Sequence, residues 1–203
     1  TMLHWLDQSG QLIWASERNG WNHLYRIDAS TSEVINPITK GKWVVRKIEH
    51  VDEKSEVVWF SALGIHPKQD PYHLHLAKVN FDGSGLTVLT QGDGSHHWEF
   101  NPKRTLFVDH WSRVDHPEVA ELRSARDGSL ISELARQDIS ALIKEGYSMP
   151  IRFSAPGRDG KTMIHGILIK PTDFDPDRIY PVIENIYAGP HGFHVPKKFG
   201  LQV

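Results

Sequence analysis

The sequence contains no cysteine in its 203 residues. Disulfides, thiolate catalysis and cysteine zinc sites are therefore excluded for this chain. Neither sign of charge is in large excess, because 23 Lys and Arg stand against 25 Asp and Glu. Without a basic field, we expect no nucleic-acid partner. No apolar run approaches the length of about 18 residues that a membrane-spanning helix needs, so no membrane segment is expected in this chain.

What remains is the composition of a soluble globular protein, with 39% apolar and 24% charged residues. The absence of cysteine fits the cytoplasm, and a disulfide-free periplasmic protein is also compatible with it, so the compartment stays open. Residues 1–5 lack the basic and apolar regions of a signal peptide. They have the pattern of a strand entered partway, which leaves the natural start of the chain open.

Short apolar runs, separated by turn residues, fill the first two thirds of the chain. Their length of about five residues and their enrichment in β-branched and aromatic residues predict strands. The runs lie at residues 12–16, 23–27, 57–61, 72–76, 86–90 and 105–109.

Similar pieces recur along these runs. Three tryptophan-containing runs end in a serine, at Ser16, Ser61 and Ser112. Residues 23–25 resemble 73–75, and residues 38–41 resemble 89–92. A period of about 45–50 residues with four strand-like runs per unit is typical of a β-propeller blade, whereas a β-sandwich would give similar strands without this period.

We therefore predict a mostly β fold whose residues 1–132 form about three four-stranded blades at the C-terminal end of a propeller. Propellers typically carry about four to eight blades. Further blades are expected before Thr1, and the total number of blades stays open.

The pattern changes near residue 133. Apolar residues at helix-like spacing between 133 and 146 predict a connecting helix, within a linker that spans 133–150. Residues 151–155 and 163–170 flank an Asp-Gly turn signal and predict a hairpin.

The run at residues 181–187 begins with strongly apolar residues, which predicts a strand buried on both faces of a sheet.

The segment 180–190, Tyr-Pro-Val-Ile-Glu-Asn-Ile-Tyr-Ala-Gly-Pro, resembles an early strand and loop of the α/β-hydrolase domain in the dipeptidyl peptidase IV branch of the prolyl oligopeptidase family. Residues 157–171 resemble the hairpin that opens that domain. Residues 14–25 and 39–45 resemble propeller pieces of the same branch. The resemblance implies that residues 151–203 are the N-terminal part of an α/β-hydrolase domain.

The resemblance also implies a serine peptidase that removes dipeptides, with proline or alanine second, from peptide N-termini through an acyl-enzyme. Peptide substrates are the expected partners, and a homodimer is frequent in the family. The nucleophile, base and orienting acid are not in this chain, because no Gly-x-Ser-x-Gly segment occurs in it. We therefore expect the chain alone to be inactive.

One catalytic role is implied by the resemblance. The matching tyrosine of the family donates its hydroxyl to the oxyanion of the tetrahedral intermediate, and here it is Tyr187. The chemistry agrees, because a phenol is a neutral donor near pH 7 and a fixed donor favours the oxyanion over the ground-state carbonyl. A tyrosine at a strand end can equally be a packed aromatic residue.

Other candidate sites are weaker. His96 and His97 are adjacent on a predicted strand and should point to opposite faces, so we expect no metal and no cofactor. Asp109, His110 and Ser112 include all three triad residue types, but they are sequential on a strand and cannot converge. The seven tryptophans recur with the blades and are expected to pack between them. Residues 123–128 are expected to form a hairpin turn.

The competing hypothesis is a non-catalytic, propeller-based module that binds peptides or protein partners. The two hypotheses differ in the sequence that follows Val203. A Gly-x-Ser-x-Gly segment there would favour the enzyme, and a substituted serine would favour the binding module.

Overall fold

The computed structural model describes residues 2–7, 9–187 and 193–200. These residues contain fourteen strands and one short helix. Twelve strands form three four-stranded sheets, and the last two form a separate pair. Within each larger sheet the strands are antiparallel and follow chain order, as in a propeller blade. The predicted fold class, mostly β with about three four-stranded propeller blades, is confirmed.

The strand bounds are as follows. The first blade consists of β1 (Leu3–Leu6), β2 (Gln11–Ser16), β3 (His23–Asp28) and β4 (Val34–Pro37). The second consists of β5 (Val44–Asp52), β6 (Val57–Leu63), β7 (Leu74–Asn80) and β8 (Thr87–Val88). The third consists of β9 (Ser95–Phe100), β10 (Leu106–Arg113), β11 (His116–Ser124) and β12 (Leu130–Arg136).

The hydrophobic cores lie between neighbouring blades. One joins the first and second blades through side chains such as Leu24, Ile38 and Phe60. The other joins the second and third blades and includes Leu89 and Phe107. The central strand β6 is buried from its second to its sixth residue, because it has a blade on each face. Apolar area removed from water on both faces thus holds the blades together.

The predicted hairpin is present after the third blade. It consists of β13 (Ile151–Pro156) and β14 (Met163–Leu168), paired antiparallel from Ile151 with Leu168 to Pro156 with Met163. The turn contains Gly160, whose φ of 67° lies in the left-handed region that favours glycine.

The helix predicted over residues 133–146 is wrong in its first part. Residues 130–136 are β12, which pairs with β11, for example Ala135 with Ala120. The helix α1 spans only Ser140–Lys144 and buries none of its side chains. Pairing with a neighbouring strand satisfies the backbone of residues 133–136 and overrides their helix-like spacing. β12 extends beyond residue 132, at which the propeller part was predicted to end. The division into domains stays a prediction.

The buried strand predicted over residues 181–187 is not formed. These residues have no regular structure, and Val182 and Ile183 are 86% and 93% exposed. Within the described ranges no strand pairs with them. A strand without a neighbour leaves its N–H and C=O groups to water, so the local apolar pattern alone does not produce one.

Candidate active site

Tyr187 ends the irregular segment and is 59% exposed. Its ring centroid lies 6.4 Å from that of His194. The same histidine donates from Nε2 to Asn185 Oδ1 at 3.0 Å. These two contacts connect the residues on either side of 188–192, which belong to the predicted loop and lie outside the described residues. The Tyr187 side chain is therefore largely accessible, and its ring contacts a residue of the segment 193–200.

Residues 193–200, here named the anchor segment, lie against the second and third blades. Lys197 Nζ donates to Asp70 Oδ2 at 2.7 Å, and the two side chains are only 6% and 9% exposed. Lys197 Nζ also lies 5.0 Å from the centroid of the Tyr72 ring, which is in contact with Phe193 at a centroid distance of 5.1 Å. Asp70 and Tyr72 both belong to the loop between β6 and β7.

Burial alone would raise the pKa of Asp70. Hydrogen bonds from Lys197 Nζ and from the Tyr72 N–H, together with the charge of Lys197, outweigh burial and lower that pKa below its ordinary value. The Asp70 carboxylate is therefore charged at neutral pH and attracts the lysine across the contact.

A second set of charges joins the hairpin to the third blade. Arg152 on β13 donates from Nε to Asp115 Oδ2 at 3.2 Å and lies 3.9 Å from Asp93. Arg113 also bonds both carboxylates. Burial alone would raise the pKa of Asp115. The two arginines lower the pKa by more than burial raises it, so the net pKa lies below the ordinary value. The hairpin is thus held by charge-assisted hydrogen bonds.

A polar cavity of about 280 Å³ is lined by residues of both sets of contacts, Asp70 and Lys197 on one side and Arg152 on the other. His73 lines it with a side chain that is 1% exposed, and burial lowers the pKa of this imidazole to about 4. The ring is therefore neutral at pH 7, and its Nδ1 lies 3.5 Å from Asp93 Oδ1 without a hydrogen bond to any of the described residues. Two cationic groups of the cavity wall, Lys197 and Arg152, are paired with carboxylates. Lys68 is a third cationic residue of the wall.

The residues of the sequential triad pattern have separate partners. Asp109 is buried and accepts from His96 Nδ1 at 2.9 Å. His110 faces Glu118, with Nδ1 and Oε1 3.4 Å apart. Ser112 Oγ accepts the N–H of Phe199 at 3.2 Å. The prediction that they do not converge is confirmed.

The remaining candidates behave as packing or turn residues. His96 is buried and the adjacent His97 is exposed, so they do point to opposite faces. Residues 123–128 lead through the turn between β11 and β12. Trp43 and Trp59 pack in the two cores between blades. The expectation is wrong for Trp5 and Trp21, which are 55% and 40% exposed. Across the described ranges no three His, Asp or Glu side chains are grouped as metal ligands.

Two features of this region were missed in the sequence. The Asp70–Lys197 pair joins residues 127 positions apart and has no sequence signal. The pairing of His75 Nδ1 with Thr90 Oγ1 at 3.0 Å repeats that of His23 with Thr39. The similarity of residues 38–41 and 89–92 was a signal for this second feature.

None of the helices in the described part of the chain has the length and apolarity needed to cross a membrane.

Several known proteins similar to this chain are named dipeptidyl peptidase 4. A sequence profile described as "Dipeptidyl peptidase IV (DPP IV) N-terminal region" matches residues 1–118. A protein of Aspergillus flavus named "Probable dipeptidyl peptidase 4" is 27% identical over 199 residues, which cover 95% of this chain and 25% of that protein. A "Dipeptidyl peptidase 4" of Arthroderma otae is 25% identical over 182 residues, which cover 86% of this chain and 22% of that protein.

The crystal structure of Porphyromonas gingivalis dipeptidyl peptidase 4 has the same fold. It superposes with a TM-score of 0.75 at 23% identity, over 98% of this chain and 27% of that structure. The chain spans about a quarter of the length of the curated relatives that it matches first. Because the profile covers more than half of its residues, the chain belongs to the dipeptidyl peptidase IV family, within whose N-terminal region most of it lies.

Proposed function

We propose that this chain is part of a serine peptidase that releases Xaa-Pro or Xaa-Ala dipeptides from peptide N-termini through an acyl-enzyme. The family match over residues 1–118 carries the proposal. In it, residues 1–132 are propeller blades, 133–150 connect, and 151–203 begin the peptidase domain. The catalytic serine, aspartate and histidine come from outside these 203 residues. A homodimer of the full-length protein stays a prediction.

Tyr187 acts in this mechanism as a hydrogen-bond donor. When the serine attacks the scissile carbonyl, the carbonyl oxygen becomes an oxyanion. A phenol remains protonated near pH 7, and a fixed O–H donor stabilises the oxyanion more than the ground-state carbonyl. The exposure of Tyr187 supports this role, because a donor to the substrate must be accessible.

The test is Tyr187→Phe in the full-length protein that contains this chain. The substitution keeps the ring and removes only the hydroxyl. We expect kcat for a Gly-Pro chromogenic substrate to fall by about 10²–10³, while KM changes little, because the donor acts mainly in the transition state. The isolated 203-residue chain serves as a blank and should give no turnover.

Tyr180→Phe is the matched control. Its hydroxyl lies in the same segment but accepts the N–H of Asp175 at 2.9 Å, so its removal should leave kcat unchanged. If Tyr187→Phe and Tyr180→Phe both keep the wild-type kcat, the oxyanion role is wrong. A full-length protein that binds peptides without turnover would support the non-catalytic binding module instead.

A further inference from the structure

The anchor segment is tied to the second blade by a buried ion pair. Lys197 and Asp70 form a hydrogen bond in which both side chains are more than nine-tenths buried. The loop that carries Asp70 is itself ordered, because the carboxylate also accepts the N–H of Tyr72 at 2.9 Å. Removing one partner of such a pair would leave an unpaired buried charge, which is strongly unfavourable. The pair therefore resists separation of the segment from the blade.

Further contacts fix the orientation of the anchor segment on the blades. The Tyr72 ring receives Lys197 on its face and packs against Phe193. At the other end of the segment, the N–H of Phe199 donates to Ser112 Oγ in the third blade. Attachment at three residues limits both sliding and rotation of the segment.

The anchor segment in turn contacts the candidate catalytic residue. His194 lies between Phe193 and Lys197, and it bonds Asn185 and packs beside Tyr187. A continuous set of contacts therefore leads from the loop between β6 and β7 to the Tyr187 ring. Coupling through such a set must be demonstrated by measured interaction energies.

We propose that Asp70 and Tyr72 are positioning residues, which hold the anchor segment on the second blade and thereby place the Tyr187 hydroxyl for oxyanion stabilisation. The proposal rests on the proposed function and adds to it a role for the propeller in orienting the catalytic donor. A displacement of about 1 Å in a catalytic group can lower the rate by as much as about 10²-fold, so the attachment matters for kcat.

The test is a double-mutant cycle in the full-length protein, with Asp70→Asn made in the wild-type and in the Tyr187→Phe backgrounds. In the wild-type background we expect kcat to fall about 10- to 100-fold with little change in KM. In the Tyr187→Phe background Asp70→Asn should have almost no further effect, because the hydroxyl that it positions is gone. Hydrogen exchange of the amides of residues 193–200 should accelerate in Asp70→Asn.

A second variant separates positioning from stability. Asp70→Asn combined with Lys197→Met removes the unpaired charge, so the melting temperature should recover while kcat stays low. The matched control is Asp115→Asn, which breaks an ion pair of the hairpin but touches no residue of the anchor segment. It should lower the melting temperature and leave kcat intact.

The outcomes are distinct. If Tyr187→Phe lowers kcat but Asp70→Asn has the same effect in both backgrounds, or none, the positioning role is overturned and the proposed function stands. Recovery of kcat together with stability in the Asp70→Asn, Lys197→Met variant also overturns it. If Tyr187→Phe itself leaves kcat unchanged, the oxyanion role fails, and the positioning role fails with it.

Discussion

Asp109 is a fully buried carboxylate that contacts a histidine and an arginine. It accepts from His96 Nδ1, and Arg123 Nε lies 3.5 Å from its Oδ2. The other nitrogen of His96 faces the carbonyl oxygen of Gly92 at 2.9 Å. Both ring nitrogens thus face hydrogen-bond acceptors. Arg123 also pairs with Glu121 at 2.7 Å, so these four side chains form one polar network inside the third blade.

Asp109→Asn should destabilise the protein by about 3–5 kcal/mol, because it breaks the buried ion pair between Asp109 and Arg123. The thermal midpoint of the purified protein measures the effect. Glu133→Gln, which breaks an exposed pair with Arg136, is the control and should leave the midpoint unchanged. Equal midpoints for Asp109→Asn and wild type would mean that the buried network contributes nothing net to stability.

At the scale of the element, the first and second blades contain the same arrangement of hydrogen bonds around a threonine. Thr39 Oγ1 accepts the N–H of Leu24, and Thr90 Oγ1 accepts the N–H of Leu76. Each threonine also bonds Nδ1 of the histidine one position before that leucine. The equivalent of His23 is therefore His75 and not His73, which corrects the alignment of residues 23–25 with 73–75 by two positions.

Aspartate turns join the third and fourth strands of all three blades. Asp28, Asp82 and Asp127 each accept, through Oδ1, the N–H of a serine two positions later. A hydrogen bond from the side chain of that serine is the main cause of the lowered pKa of each aspartate, and the bond from its N–H lowers the pKa further. The repeated Asp-x-Ser pattern forms the same local turn each time, because the side chain substitutes for a backbone acceptor.

The histidines around β7 predict a loss of stability in mild acid. Burial lowers the pKa of His73 to about 4 and that of His75 to about 2, below the ordinary value near 6.5. Below pH 6.5 the unfolded chain therefore binds protons that the folded chain does not. The free energy of unfolding should fall as the pH decreases from about 6.5 to 4, by up to about 1.4 kcal/mol per pH unit for each ring.

Urea unfolding at pH 7 and pH 5 checks this dependence. His75→Gln removes one of the two proton-binding rings and should make the loss between these pH values smaller. His97→Gln changes an exposed ring and should leave the pH dependence as in wild type. A wild-type protein equally stable at both pH values would contradict the prediction.

At the scale of the whole molecule, β12 and the irregular segment are among the places where large apolar side chains are exposed. All seven residues of β12 are exposed, including Leu130, Ile131 and Leu134 at 53% each. In the irregular segment, Ile183 is 93% exposed. An exposed edge strand with apolar side chains can pair with another chain, and apolar patches of this kind mark contact surfaces.

The isolated 203-residue chain should therefore self-associate. Sedimentation velocity over a range of concentrations measures the association. Ile183→Lys should reduce it, because the substitution removes exposed apolar area, whereas Ser9→Lys adds the same charge at a polar position and should not. A wild-type chain that stays monomeric at high concentration would mean that these surfaces do not associate.

By itself, the sequence determined the elements that depend on neighbouring residues. The blades were predictable because short strands and turns repeat with a constant period, and the hairpin of β13 and β14 because alternation and an Asp-Gly turn act locally. The Thr39 and Thr90 repeat was visible, although its histidine partners were not. Tyr187 was recognised from its surrounding residues, and its catalytic role stays a prediction.

Only the tertiary structure decided which distant groups meet. Residues 133–136 became a strand because β11 offers an edge, and residues 181–187 did not because no described strand offers one. Asp70 and Lys197 attract each other only because folding brings them to 2.7 Å and removes water from around them. Strand pairing and ion pairing depend on distance and burial, which are set by the packing of remote parts of the chain and leave no periodic pattern in its sequence.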